Sequence, residues 1–268
     1  MVNKKLALVV LGLLSLVLVF SGCTSNNTQN TGDSNTDMSW KNVQDSGVLK
    51  VGLCAAYPPF ESRNEKTGEF EGFDIDFANA IGEELGVKVE IIDAEWPALL
   101  GGLSKGDYDT LITCMSERET SAENVEMSEP YYALTDVVVV NKETDSINSL
   151  NDLSGKVVGA QLGTGSQDTA EGIEGVKEVV TYNYNPEAFI DLENGRVDAV
   201  IVGQAYALTQ MKEYENVKAT NITINPVNVI TVQKSGAVAL TDKMNEAINK
   251  LKENGKYDEI KEKWLAFE

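Results

Sequence analysis

The sequence predicts an α/β protein with two lobes, each a mainly parallel sheet flanked by helices. Short apolar runs of strand type alternate with segments of helical periodicity, which is the pattern of such a sheet. The alternation occurs in two consecutive series, and the C-terminal tail resumes the first series. We therefore expect two lobes joined by a hinge of two crossing strands, with a ligand crevice beyond the C-terminal ends of the strands.

Residues 1–22 have the pattern of an export signal. Lys4 and Lys5 precede an apolar run from Leu6 to Phe20, and small residues lead from it to Cys23. The run is short for a bilayer-spanning helix, which needs about 20 residues, so export followed by cleavage is favoured. The junction resembles the lipobox of prokaryotic lipoproteins, in which the cysteine is acylated and becomes the mature N-terminus. A simple signal peptide and an uncleaved anchor are the alternatives.

Residues 23–39 are predicted to form a flexible tether, because they are dominated by Asn, Thr, Ser, Gly and Asp. The globular part is predicted to begin near Trp40. The whole chain has 42 acidic and 22 basic residues, a formal net charge of −20, and no histidine. Nucleic-acid binding, which needs a basic face, is thereby excluded. Without histidine, the commonest general base and the favoured zinc ligand are missing, and we expect neither a metal nor a cofactor.

The elements of the two series follow from periodicity and from the positions of Gly and Pro. The first series is predicted as strand Gly47–Ala55, a loop at Tyr57–Phe60, helix Phe73–Leu85, strand Val87–Ile92, helix Trp96–Lys105 and strand Tyr108–Cys114. The second series is predicted as strands Val137–Val140 and Lys156–Gln161, helix Glu187–Gly195, strand Asp198–Val202 and helix Gln204–Tyr214. The tail is predicted as strand Val229–Val232 followed by amphipathic helices that end in Trp264.

Six sequence blocks in order carry a resemblance to a known family. They are GVLKVGLCAAYPPFE, GEFEGFDIDFANAIGEELGVKVE, MSEPYY, DLSGKVVGAQLGTGS, LENGRVDAVIV and ENGKYDEIKEKW. With these blocks the chain resembles the extracellular solute-binding proteins of polar amino acid ABC importers, which have the periplasmic-binding-protein type II fold. The resemblance implies that residues 40–136 and 227–268 form lobe 1 and that residues 137–226 form lobe 2. It also implies that the lobes close on the ligand and that a permease recognises the closed shape.

The resemblance assigns ligand-binding positions in both lobes. Tyr57 and Trp96 match aromatic rings that sandwich the ligand side chain, although Trp96 at a helix start is also compatible with a core position. Two further segments match the positions that meet a ligand carboxylate, namely Thr113, Cys114 and Ser116 in lobe 1 and Gln161, Thr164 and Ser166 in lobe 2. The lobe 2 segment is Gly-rich and leaves backbone N–H groups for an anion at a helix start, or it is an ordinary tight turn.

Two positions depart from the family. Ser121 stands where the family has the arginine that binds the ligand carboxylate, and Gly203 stands where it has the aspartate that binds the ammonium group. Arg118 lies three residues before Ser121 and is either a displaced anion clamp or a solvated arginine beside acidic neighbours. Ser116 and Glu119 also have capping-box spacing, which would place Arg118 in the first turn of a helix.

Cys54 and Cys114 end two strands that the fold places side by side, so the two thiols either form a disulfide or stay free as small buried groups.

The resulting functional prediction is a monomeric, lipid-anchored binding protein on the outer face of the cytoplasmic membrane. It captures an amino acid or an amino-acid-like carboxylate and delivers it to an ABC permease with its ATPase. The departures also allow a ligand that is no standard amino acid, such as an organic acid or a polar heterocycle. A sensory role and a cyclohexadienyl dehydratase-like enzyme are further alternatives, the latter relying on carboxylates such as Glu61 or Glu95.

Overall fold

A computed structural model describes residues 36–266. The strands in this part are β1 Val48–Leu53, β2 Ala56–Tyr57, β3 Glu61–Arg63, β4 Phe70–Glu71, β5 Lys88–Asp93, β6 Thr110–Leu111, β7 Val125–Met127, β8 Tyr132–Asn141, β9 Val157–Gln161, β10 Glu178–Tyr182, β11 Ala199–Gly203, β12 Val217–Val229 and β13 Val232–Lys234. The α-helices are α1 Ser39–Ser46, α2 Phe73–Leu85, α3 Leu99–Lys105, α4 Glu117–Thr120, α5 Gly165–Gly172, α6 Asn185–Glu193, α7 Gln204–Gln210, α8 Val238–Glu253 and α9 Lys256–Leu265. Short 3₁₀ helices cover Trp96–Ala98 and Leu150–Leu153.

The first sheet has the strand order β5-β1-β6-β13-β7. Its β1 pairs in parallel with β5 and β6, whereas β13 pairs antiparallel with β6 and β7. Helices α2, α8 and α9 pack on one another beside this sheet and bury an apolar face rich in Phe and Leu. A small antiparallel sheet of β2, β3 and β4 lies beside it and carries the Tyr57 loop.

The second sheet has the order β10-β9-β11-β8-β12. Strands β10, β9 and β11 are parallel, and β8 and β12 are antiparallel to their neighbours. The chain leaves the first sheet through β8 and returns to it through β12. These two strands pair along their length, from Tyr132 opposite Val229 to Asn141 opposite Val217. The predicted fold class, with two crossing strands between two α/β lobes, is confirmed. Both sheets are mixed. Each has three parallel strands, to which β13 and β7 are added in the first sheet and β8 and β12 in the second.

Several elements differ from the prediction, each for a local reason. The predicted strand Tyr108–Cys114 shortens to Thr110–Leu111, and the predicted end residue, Cys114, lies in the left-handed region at φ 50°. Pro97 sits in the first turn after Glu95, so the predicted helix begins as a 3₁₀ turn before α3. Strand β12 was not predicted over most of its length, since its sequence is polar and contains a proline, and it is irregular at two points.

The folded part begins before the predicted end of the tether at residue 39. The Asp37 carboxylate accepts hydrogen bonds from the backbone N–H groups of Ser39 (2.8 Å) and Ala239 (2.6 Å). Ser39 Oγ accepts a bond from the backbone N–H of Leu240 (3.0 Å). The proposed lipidation site, Cys23, and the rest of the leader lie outside the described residues. Over residues 36–266, no helix combines the length and the apolar character that a membrane crossing requires.

Candidate functional site

A cavity lies where the strand ends of the two lobes meet, with an empty volume of about 600 Å³ that includes the part open to solvent. This size suits a small-molecule site. The predicted positions that line it are Tyr57, Trp96, Thr113, Cys114, Arg118, Gln161, Thr164 and Ser166. Lining residues that were not predicted as ligand-binding are Cys54, Ala56, Glu61, Glu119, Leu134, Asp136, Gly165, Asn185, Val202 and Val227. Both lobes therefore contribute walls to one cavity.

The two aromatic residues of lobe 1 also bind lobe 2 directly. The ring of Tyr57 stacks on that of Tyr206 with centroids 4.7 Å apart and planes within 6°, and its Oη accepts a bond from the Gly203 N–H (3.2 Å). Trp96 Nε1 donates to the carbonyl oxygen of Gly163 (3.1 Å). Each ring thus has a polar atom that joins the lobes, and both residues line the cavity. The Tyr57 ring also stacks on Phe60 (centroids 5.8 Å apart), and the sandwiching role stays a prediction.

Gly203 lies outside the cavity wall, and the structure gives a steric reason for a glycine there. A Cβ atom at this position would be 2.2 Å from Tyr57 Oη and 3.0 Å from Leu134 Cδ1. Contacts this short do not occur without displacement of a neighbour. The space that a side chain would need is therefore taken by the Tyr57 hydroxyl, and any acid at this position requires Tyr57 to move.

The predicted capping box of Ser116 and Glu119 is confirmed and starts helix α4. Glu119 Oε2 accepts bonds from the Ser116 backbone N–H (2.8 Å) and from the Ser116 hydroxyl. Its Oε1 accepts a bond from the backbone N–H of Gly165 (2.7 Å), at the start of helix α5 in the other lobe. A carboxylate is well placed at a helix N-terminus, where unpaired N–H groups and the helix dipole favour negative charge.

Arg118 points across the cleft. Its Nη1 donates to the carbonyl oxygen of Gly165 (2.9 Å) and to Thr169 Oγ1 (3.0 Å). A Cβ atom on Gly165 would be 2.7 Å from Arg118 Cδ, so glycine is needed for this approach. The guanidinium therefore holds protein groups of lobe 2 while it lines the cavity, and its role as an anion clamp stays a prediction.

The Gly-rich segment of lobe 2 forms the cap of helix α5. Thr164 Oγ1 accepts a bond from the Gln167 N–H (3.3 Å) and donates to the carbonyl oxygen of Gln161 (2.8 Å). The Gln161 side chain donates to the carbonyl oxygen of Asn183 and accepts from Asn185 Nδ2. Ser166 Oγ donates to Asp136 Oδ2 (2.7 Å). These bonds fix the polar atoms of the segment at the cavity wall.

A buried carboxyl pair underlies the lobe 1 side of the cavity. Glu61 Oε1 accepts a bond from Thr113 Oγ1 (2.9 Å), and its carboxyl group is hydrogen-bonded to Asp74. Asp74 also accepts from the Cys114 N–H (2.6 Å) and from Tyr131 Oη (3.0 Å). Burial and the neighbouring Asp74 charge raise the pKa of Glu61 well above its ordinary value, and burial raises the pKa of Asp74 to about 7. Glu61 therefore favours its protonated form, and Asp74 holds the left-handed backbone of Cys114 in place.

Cys54 and Cys114 are free thiols, so the structure has the second of the two alternatives that the sequence left open. The two side chains belong to different apolar clusters. Cys54 packs with Leu99 and Leu103, and Cys114 packs with the aromatic cluster around Phe60. Burial raises the pKa of Cys54 to about 12 and that of Cys114 well above its ordinary value. Both thiols act as small apolar wall groups.

Two other predicted residues do not reach the cavity wall. Ser116 is buried in the helix cap, and Ser121 is exposed, with its Oγ donating to the carbonyl oxygen of Arg118 (2.9 Å). Neither position provides a direct ligand contact in this arrangement. Within residues 36–266, no cluster of three or more cysteine, aspartate or glutamate side chains is arranged to hold a metal ion.

Asp136 is the most informative residue that sequence reasoning missed. It lies on β8, is 9 % exposed and lines the cavity. The signal was a single acid directly before the apolar run of residues 137–140. A charged side chain within a buried strand is costly unless it has a partner, so it marks a functional candidate.

Comparison with known proteins extends these observations. The sequence model of a protein family, the bacterial extracellular solute-binding proteins, family 3, matches residues 49–267. The L-cystine-binding protein TcyJ of Escherichia coli (strain K12) is 29% identical over 233 residues, covering 84% of this chain and 85% of that protein. The L-arginine-binding protein of Pseudomonas aeruginosa is 31% identical over 237 residues, covering 82% of this chain and 88% of that protein.

Solved structures agree with the sequence relatives. A mutant of ArgBP from T. maritima matches with a TM-score of 0.80 at 31% identity, covering 85% of this chain and 100% of that one. The ancestral amino acid-binding protein AncCDT-1, a precursor of cyclohexadienyl dehydratase, matches with a TM-score of 0.78 at 30% identity, covering 84% and 99%. The family match spans most of the chain and the two-lobed fold agrees with it, so this protein belongs to the bacterial extracellular solute-binding proteins of family 3.

Proposed function

We propose that the protein captures an amino acid, or an amino-acid-like carboxylate, between its lobes and delivers it to an ABC permease with its ATPase. The observation that carries this proposal is the cavity, which takes its walls from both lobes. A ligand that contacts both walls makes more contacts in the closed form than in the open form, so it stabilises the closed form. The closed form is what a permease would recognise. The cystine- and arginine-binding activities named for the relatives support a ligand of this class.

The lobes of this proposal are residues 40–136 with 227–268 and residues 137–226. Tyr57, Trp96, Thr113, Cys114, Arg118, Gln161, Thr164 and Ser166 are the ligand-contacting positions. Their placement around one cavity supports the assignment. An organic acid or a polar heterocycle is the alternative ligand, favoured by the Gly203 position.

Isothermal titration of the purified protein with the twenty L-amino acids and L-cystine tests the ligand class. We expect at least one to bind and to raise the melting temperature, because a ligand selective for the folded state stabilises it by about 2.7 kcal/mol at a hundredfold excess over Kd. Binding of none of them would contradict the proposal and leave the alternative ligands. Genes for a permease and an ATPase beside this one would favour transport over sensing.

We also infer that the chain is monomeric and attached to the outer face of the cytoplasmic membrane through acylated Cys23. The sequence pattern of the leader supports this attachment. Cys23→Ser should release the exported protein from the membrane fraction, and protein that stays membrane-bound in this variant would contradict lipid anchoring.

We infer that the protein binds its ligand without converting it. The solute-binding character of the family supports this, although a structural relative is a precursor of a dehydratase. Product formation from prephenate or arogenate would contradict the inference.

A further inference from the structure

The position of Asp136 places an acidic group next to Gly203. Asp136 on β8 lies directly opposite Gly203 on β11 in the antiparallel register. Side chains opposite each other in such a pair project from the same face of the sheet. The Tyr57 hydroxyl fills the space at Gly203, and the carboxylate stands one strand away, at the cavity wall.

One oxygen of the Asp136 carboxylate has no hydrogen-bond partner among residues 36–266. Asp136 Oδ2 accepts a bond from Ser166 Oγ (2.7 Å), whereas the buried Oδ1 atom has no hydrogen-bond partner in the structure. The pKa of Asp136 is raised above its ordinary value, mainly by burial and also by the charge of Glu119. The bond from Ser166 and the charge of Arg118 act in the opposite direction and offset part of this increase. A buried acceptor without a donor destabilises the folded protein, and a donor supplied by a bound ligand would remove that cost.

Each of the other charged residues of the cavity makes at least one hydrogen bond within the protein. Arg118 donates to Gly165 and Thr169, and Glu119 accepts from Ser116 and Gly165. Glu61 Oε1 accepts a bond from Thr113 Oγ1, whereas its buried Oε2 atom also has no partner in the part of the chain that the structure describes. Burial and the neighbouring Asp74 raise the pKa of Glu61 well above its ordinary value, so Glu61 favours its neutral form. The lining residues Arg118, Glu119, Asp136 and Glu61 comprise one basic and three acidic side chains, so the cavity lining has a formal excess of acid.

We propose that Asp136 Oδ1 binds a protonated nitrogen of the ligand, so that the cavity selects small organic cations and ammonium-bearing amino acids over acids without such a nitrogen. This rests on the proposed solute-binding function. The N–H donors of an ammonium or amidinium group would satisfy the unpartnered oxygen, and the bond is charge-assisted. The acid missing at position 203 is thereby supplied by the neighbouring strand.

Asp136→Asn tests the assignment, because it keeps the shape of the side chain and removes its charge. The matched control is Asp168→Asn, which removes an exposed acid from helix α5 in the same lobe. Both variants and the wild type are titrated with L-arginine, L-cystine and the remaining L-amino acids, and then with the 2-hydroxy analogue of any amino acid that binds. The melting temperature of each ligand-free protein shows that it is folded.

We expect Asp136→Asn to weaken amino-acid binding about 10- to 100-fold, the range for a bond to a charged group, and Asp168→Asn to leave it within about twofold. The 2-hydroxy analogue should bind the wild type more weakly and lose little further affinity with Asp136→Asn. The ligand-free melting temperature of Asp136→Asn should equal or exceed that of the wild type, since a costly buried charge is removed.

If Asp136→Asn bound the amino acid with an affinity within about twofold of that of the wild type, this inference would be overturned and the proposed function would stay intact. Equal affinity of the wild type for the amino acid and its 2-hydroxy analogue would do the same. If the wild type bound none of these probes, both the proposed function and this inference would be contradicted.

Discussion

The close approach of Tyr57 to Gly203 predicts a strong coupling between these two positions. Gly203→Ala adds a Cβ atom 2.2 Å from Tyr57 Oη, while the backbone at φ −56° and ψ 136° accepts any residue, so the effect is purely steric. Tyr57 must shift, which costs overpacking strain and its bond to the Gly203 N–H. We expect Gly203→Ala to lower the free energy of unfolding by about 2 to 4 kcal/mol.

Removal of the hydroxyl separates the two contributions. Tyr57→Phe keeps the ring stacked on Tyr206 and loses only the bond from the Gly203 N–H, at a cost of about 1 kcal/mol. In the double variant the nearest remaining atom of the ring is Cζ, at 3.4 Å from the added Cβ, which is ordinary contact. The tight contact of 3.0 Å with Leu134 Cδ1 remains in both alanine variants. The double variant should therefore be more stable than the sum of the single effects predicts, by about 1 to 2 kcal/mol.

Urea denaturation of the wild type and the three variants measures this double-mutant cycle. Opening of the cleft would relieve the clash in Gly203→Ala, so the free energy of separating the lobes is the upper limit of its cost. Small-angle scattering on each protein shows whether the cleft opens. Effects that add within about 0.5 kcal/mol would refute the argument, because they would mean that the Tyr57 hydroxyl does not limit position 203.

Three further predictions concern groups around the cavity. Because the folded-state pKa values of Glu61 and Asp74 lie above those of the unfolded chain, folding takes up protons, and stability is lost as the pH rises from about 4 through about 7. Glu61→Gln should flatten this fall in urea denaturation, and an unchanged slope would contradict the raised pKa of Glu61. Cys54 and Cys114 should react with iodoacetamide at pH 8 only after unfolding, since with a pKa of about 12 roughly one Cys54 in ten thousand is thiolate; rapid native labelling would contradict this. Arg118→Ala should enlarge the radius of gyration of the ligand-free protein and lower its stability by about 1 to 3 kcal/mol, measured by scattering and denaturation, and unchanged dimensions would show that its bonds do not hold the lobes together.

The fold was predictable because apolar periodicity, together with the positions of Gly and Pro, distinguishes strands from helices in most of this chain. The apolar runs around Val51 and Val200 end up buried in the centres of the two sheets. Strand β12 escaped prediction because it gains its order from the long ladder with β8 and has little apolar pattern of its own. Tertiary pairing determined this element, and no local sequence signal reports it.

The site was predictable in its positions and less so in its chemistry. Tyr57, Trp96 and Ser166 were assigned through the family resemblance and do line the cavity. The partners of Arg118 were not foreseeable, since they lie about fifty residues away in the other lobe. Asp136 was missed because its importance depends on its register with Gly203, and register is a property of strand pairing.

The bonds that Trp96, Tyr57, Arg118 and Glu119 make across the cleft have a kinetic consequence. They lower the fraction of molecules in which the cleft is open, and the apparent rate of ligand entry falls in proportion to that fraction. The same bonds must break before a captured molecule can leave, which lengthens its residence time. Such a protein binds its ligand slowly and releases it slowly. Rapid release would require a docking partner that separates the lobes.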